Sequence, residues 1–181
     1  MRHLLLLVWL VLAACADETP PQVPVGGAAP PFSAPGLDGR QRAFPDEFPG
    51  KALAVVFWNE ACPPCIRELQ AIEQLSRRMT DPPPIIAIHV GQDKATAAGR
   101  VARLGLSFPA LLDEDGTIAR RYGVVGLPTT VFVDAGGVLR GRLVGEADAA
   151  NFARQVQTLL SAPATPGLPN QDFTPPTGRP R

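Results

Sequence analysis

The chain has 181 residues, 45% of them hydrophobic and 19% charged, with 17 basic residues balancing 17 acidic ones. That length suits one domain with tails. With a formal net charge of zero, nothing in the charge balance points to nucleic acid. Met1-Arg2-His3 is a short basic start, and Leu4 to Leu12 is an apolar run too short to span a bilayer comfortably. Ala13-Ala14 then supplies small residues before a cut. Residues 1–14 are expected to be an export signal, and residues 15–30, rich in Ala, Pro, Gly and Val, a tether.

The pattern changes at Pro31, where a domain spanning 31–160 is expected to begin. Phe32 to Leu37, the pair Asp38-Gly39 and Arg40 to Phe44 predict a hairpin with an Asp-Gly turn. Ala52 to Trp58, rich in β-branched and aromatic residues, predicts a buried strand. After Cys62-Pro63-Pro64-Cys65, an apolar face of Ile66, Leu69, Ile72, Leu75 and Met79 opposes a polar face of Arg67, Glu68, Glu73, Gln74 and Arg77. This predicts an amphipathic helix ended by Asp81-Pro82-Pro83-Pro84. Ile85 to Val90 is the next buried strand. Asp93 can cap a helix through Leu104 that Gly105 closes. A short strand over 108–112 and a short helix over 116–122 follow. Thr129 to Asp134, a turn at Ala135-Gly136-Gly137 and Val138 to Val144 form a second hairpin. Ala149, Phe152, Val156 and Leu159 stripe a last helix. Residues 161–181, mostly Pro, Thr, Gly and Asn, lack a core-forming pattern and are expected to be a disordered tail.

The chemistry centres on Cys62 and Cys65. A strand, a short loop, Cys-x-x-Cys and a helix is the context of a redox pair. With a helix starting at Pro63, Cys62 takes the N-cap and Cys65 the third helical position, close enough for a small disulfide ring. The positive end of the helix dipole favours a Cys62 thiolate, and such thiols titrate anywhere from about 3.5 to 7.5. Pro63 suits the first turn, where its missing N–H has no partner anyway. Pro63 and Pro64 together remove two amide donors, so the Cys62 pKa is expected to be lowered, but not to an extreme. Cys65, inside the helix, is expected to be the shielded resolving thiol. A purely structural disulfide would close so tight a loop that it adds little stability. A zinc half-site would need two further ligands, and beyond the pair the sequence offers His89 and carboxylates.

Two resemblances extend this reading. Leu12-Ala13-Ala14-Cys15 resembles the bacterial lipobox, which implies that Cys15 becomes the first mature residue and carries a lipid. An ordinary signal peptide cut near Ala14 or Ala16 is the alternative; either implies export to a space where disulfides persist. Phe57-Trp58-x-x-x-Cys62-Pro63-Pro64-Cys65, with Tyr122-Gly123-Val124-x-Gly126-Leu127-Pro128-Thr129-Thr130, resembles the thioredoxin superfamily. More narrowly, it resembles the TlpA/ResA-like branch of exported, membrane-tethered thiol–disulfide oxidoreductases. The resemblance implies an α/β fold: a thioredoxin-like mixed sheet flanked by helices, with an N-terminal β-hairpin extension. It implies that Pro128 is cis beside the cysteines, that the Leu127 backbone pairs with a substrate strand, and that Trp58 packs under the active-site loop; these three are expected to make up the substrate-binding site.

The chain departs from that pattern in two places. Ala61 stands where the family carries an aromatic residue, which trims the apolar rim partners touch. Val56 stands where thioredoxins carry a buried acid. Glu60 could shuttle the Cys65 proton only if it turns inward, or could raise the Cys62 pKa by its charge; as a loop residue it is expected to be solvated. His89, at the C-terminal end of a central strand, is expected to be structural.

The resulting expectation is a thiol–disulfide oxidoreductase, acting as a reductant in cytochrome c maturation or thiol maintenance. Cys62 would be the nucleophile and Cys65 the resolving thiol, with no cofactor beyond their disulfide and no metal. Its partners would be disulfide-bearing exported proteins and a membrane electron relay of the DsbD/CcdA type. Its place would be periplasmic or extracytoplasmic, held to a membrane by the lipid on Cys15. A non-catalytic thioredoxin-like interaction domain and a Sco-type copper-delivery protein are the other classes; the latter uses Cys-x-x-x-Cys plus a distal His.

Overall fold

A computed structural model describes residues 23–161 of the chain. The expected export signal, Cys15 and the tail beyond residue 161 lie outside them. In chain order the elements are β1 (Phe32–Pro35), β2 (Gln41–Phe44), β3 (Leu53–Trp58), α1 (Pro63–Ser76), β4 (Ile85–Val90) and α2 (Lys94–Leu104). Then come β5 (Ala110–Asp113), α3 (Thr117–Arg121), β6 (Thr129–Val133), β7 (Leu139–Val144) and α4 (Ala149–Ser161).

β1 and β2 pair antiparallel from Phe32↔Phe44 to Pro35↔Gln41, and the Asp38 carboxylate accepts the Arg40 N–H across the turn (3.0 Å). The other strands form one sheet in the order β5-β4-β3-β6-β7. β3, β4 and β5 run parallel because α1 and α2 carry the chain back between them. β6 lies antiparallel to β3 and to β7. The fold is thus the expected thioredoxin-like mixed sheet with its N-terminal hairpin.

Every residue of β3 is buried, and alternation divides them between two cores. Leu53, Val55 and Phe57 pack with Phe32, Ile118 and Tyr122, so the hairpin and α3 cover that face. Ala54, Val56 and Trp58 pack with Leu69 and Ile72 of α1 and Phe152 and Val156 of α4 on the other. The Asp113 carboxylate at the end of β5 accepts the N–H groups of Ile118 (3.1 Å) and Ala119 (2.9 Å), capping α3, whose N-cap Gly116 has no side chain to do so.

Two expectations are corrected. The tether does not extend to residue 30: Val23 and Ala29 are buried, and residues 26–29 lie along the start of β7. Gly26 N–H donates to the Leu139 carbonyl (2.7 Å), Leu139 N–H to Gly27 (2.9 Å) and Ala29 N–H to Gly137 (2.8 Å), while Tyr122 Oη donates to the Pro30 carbonyl (2.8 Å). Residues 23–30 therefore belong to the packed domain, because a Pro/Gly-rich segment can pair through its backbone without any hydrophobic period. Glu68 and Glu73 are not on a solvated face but buried in α1. Glu73 accepts from the Ser107 N–H (2.8 Å), the Ser107 hydroxyl (3.0 Å) and Arg77 Nε (2.5 Å). Burial alone would raise its pKa, but those donors together hold it below the usual carboxylate value.

Candidate active site

The chain leaves β3 at Trp58 and turns through Asn59-Glu60-Ala61 into α1. Asn59 shapes this turn: its Nδ2 donates to the Val90 carbonyl (2.9 Å), its Oδ1 accepts the Ala61 N–H (2.9 Å), and its carbonyl accepts the Cys62 N–H (3.2 Å). Cys62 is the N-cap of α1, with Pro63 and Pro64 in the first turn. Cys62 and Cys65 are joined as a disulfide, their Cα atoms 5.3 Å apart. Cys62 is partly exposed and Cys65 fully buried, so of the two residues only the first meets solvent. With prolines in the next two positions, the Cys65 N–H is the amide that faces Cys62 Sγ (3.3 Å).

The Leu127–Pro128 peptide bond is cis. Phe57 pairs with Thr129 in the antiparallel β3–β6 register, so Pro128 stands at the sheet end from which the chain runs to Cys62. Leu127 is half-buried and, like Cys62, packs against the core cluster that holds Cys65 and Trp58. Val125, 74% exposed, projects from the same loop. Trp58 is fully buried with its indole against the His89 ring (5.1 Å, 72°). It supports the loop from beneath and presents no surface to a substrate, which corrects its place among substrate-binding residues.

Glu60 is also corrected. Its side chain is 14% exposed, turned inward, and its carboxylate is hydrogen-bonded to Nε2 of His89, whose side chain is 0% exposed. A cleft of about 450 Å³ is lined by Glu60, Ala61, Pro63, Ile66, Arg67 and Arg100, among them the two residues that flank Cys62. An apolar groove of about 480 Å³ bounded by Phe48, Pro83, Phe108 and Leu160 lies at the opposite end of the sheet and takes no part in the site.

The sequence reading missed Glu68. One turn beyond Cys65 on the same helix face, it is 1% exposed and accepts the Thr130 hydroxyl (2.7 Å) and the Ala147 N–H (3.5 Å). Burial pushes its pKa up, and its donors only partly offset this. Thr130 is the cross-strand partner of Val56. The carboxyl that β3 lacks at position 56 is thus supplied to the same patch by α1. The signal was available: position 68 lies three residues after Cys65 and four before Ile72, on the inner stripe.

A model of the AhpC/TSA family matches residues 25–142. The chain belongs to the AhpC/TSA family. This AhpC/TSA chain is 30% identical over 138 residues to the thiol-disulfide oxidoreductase ResA of Geobacillus thermodenitrificans, covering 76% of this chain and 79% of the relative. Among solved structures it is similar to a thiol:disulfide interchange protein of the thioredoxin family from Chlorobium tepidum, with a TM-score of 0.67 and 26% identity over 75% of this chain and 97% of that one. It is also similar to a secreted Mycobacterium tuberculosis disulfide oxidoreductase homologous to E. coli DsbE, with a TM-score of 0.63 and 25% identity over 71% of this chain and 96% of that one. With the Cys62–Cys65 disulfide at the helix N-terminus, the chain is a thiol–disulfide oxidoreductase of the ResA/DsbE type.

Proposed function

We propose that this oxidoreductase works outside the cytoplasm as a reductant of disulfide-bearing proteins, held to a membrane through a lipid on Cys15. The observation that carries the reading is one half-exposed sulfur, Cys62, bonded to a buried one, Cys65, at the sheet end that also holds the cis Leu127–Pro128 bond. The lipobox-like tetrad supports the anchor. Among the described residues no helix is long and apolar enough to cross a membrane.

In the reduced protein the Cys62 thiolate attacks a partner disulfide. A Cys62–partner bond forms, the partner's own S–S bond breaks, and its first sulfur leaves as a thiolate that takes up a proton. The Leu127 backbone holds the partner strand during this step. Cys65 then loses its proton, with Glu68 as the acceptor on the same helix face, and attacks Cys62 Sγ. The partner's second sulfur leaves, so two electrons have passed to the partner and Cys62–Cys65 is oxidised. A membrane electron relay of the DsbD/CcdA type returns two electrons to the disulfide. The partners would include apocytochrome c or other exported thiol proteins.

The test is Cys65→Ser in cells. Partners should accumulate as mixed disulfides on Cys62, visible as bands that collapse on reduction. If no disulfide-linked species forms, the exchange mechanism is wrong.

A further inference from the structure

The mechanism above leaves one buried titratable pair unused. Glu60 lies two residues before Cys62, and His89 sits opposite Trp58 in the β3–β4 register. His89 is enclosed, with the Trp58 ring against it and its Nδ1 without a hydrogen-bond partner among the described residues. Its Nε2 is hydrogen-bonded to the Glu60 carboxylate, and a carboxylate in its charged form only accepts, from the ring N–H. The bond to this enclosed ring fixes the position of the Glu60 carboxylate. Asn59, held at both ends of its amide, keeps the intervening backbone from swinging away.

Other charges face the pair. Asp93, the cap of α2, is electrostatically coupled to His89, and Arg100 of α2 lines the cleft beside Glu60. Arg67 in the same cleft is engaged by Glu146 (2.5 Å). On the Cys62 side, Pro63 and Pro64 offer no amide hydrogens, and Cys65 N–H is the donor that faces the sulfur.

We propose that Glu60–His89 is a charge-setting pair for the attacking sulfur. His89 holds the Glu60 carboxylate on the turn that leads into Cys62, in the cleft shared with Ala61 and Pro63, where a negative charge opposes the helix dipole and disfavours the thiolate. A less stabilised reduced form makes the disulfide couple a stronger reductant. Glu60 and His89 are positioning residues here, and the inference rests on Cys62–Cys65 being the exchanging pair.

The experiment compares the full-length reduced wild type with Glu60→Gln, His89→Asn and the double variant. The pH profile of Cys62 alkylation by iodoacetamide and the equilibrium with glutathione are both measured. Glu60→Gln should lower the alkylation midpoint by about 0.5–1 pH unit. It should shift the glutathione equilibrium three- to tenfold toward the reduced protein, about 15–30 mV. His89→Asn should move both in the same direction, because the freed carboxylate turns to water, and the double variant should add little to Glu60→Gln. An unchanged or raised midpoint in Glu60→Gln, or a raised one in His89→Asn, overturns the proposal. Should His89→Asn fail to fold, Glu60→Gln alone decides, since Gln keeps the size of the side chain and an acceptor for His89. A wild type that never exchanges with glutathione sinks the functional reading as well; a wild type that exchanges beside an unaltered Glu60→Gln sinks only this inference.

Discussion

Thr130 Oγ1 donates a 2.7 Å hydrogen bond to the Glu68 carboxylate, joining the strand after the cis-proline to the helix that carries both cysteines. Burial raises the Glu68 pKa, so the folded state binds a proton the unfolded chain releases sooner. The stability this gives is complete below the ordinary glutamate value of about 4.3 and is lost as pH rises through the folded-state pKa. Glu68→Gln keeps an acceptor for Thr130 and removes the charge. Its stability relative to wild type should therefore increase from about pH 4.3 upward, read by urea denaturation across pH. The same variant should slow resolution of the mixed disulfide by Cys65 at least about tenfold, read by stopped-flow with a disulfide peptide.

Glu73, a turn and a half along the same helix, has the opposite sign. The Ser107 donors and Arg77 hold its pKa down despite burial. Its contribution is present above the unfolded value and disappears as pH falls through the folded one. Glu73→Gln should destabilise the protein at neutral pH, and the difference from wild type should shrink in acid. A pH-independent difference would assign the effect to packing instead.

Val125 stands exposed on the loop that ends in Leu127–Pro128. Val125→Glu places a charge where a partner chain must desolvate it. Exchange with a protein disulfide should fall about tenfold while exchange with oxidised glutathione stays within about twofold. Equal losses on both substrates would remove this loop from the docking surface.

The Tyr122 hydroxyl, fully buried, holds the N-terminal segment through the Pro30 carbonyl at 2.8 Å. Tyr122→Phe should cost about 1 kcal/mol in chemical denaturation. Limited proteolysis should then cut between residues 23 and 31 sooner than in wild type.

Leu69 of α1 is 0% exposed beneath the site. Leu69→Ala should cost about 2–5 kcal/mol of folding stability, measured by thermal or urea unfolding, while the oxidised protein still forms Cys62–Cys65.

The main strand, the capped cysteine helix and both hairpins were legible because β-branched runs, proline spacing and Asp-Gly or Gly-Gly turns act locally. The glutamates were not. Residue type places Glu60, Glu68 and Glu73 in water, and only partners distant in sequence (His89, Thr130, Ser107) make their burial tolerable. The span 23–30 escaped for a related reason: its order comes from backbone pairing with β7, which leaves no trace in its own side chains.

The segment before β1 lies along the start of β7, and Gly36 and Leu37 meet Leu111 and Ala110 on the far side of β5. Both margins of the five-stranded sheet are thus partly sealed by the chain's own backbone. Copies crowded together would find few open rows of amide and carbonyl groups there through which to stack edge to edge.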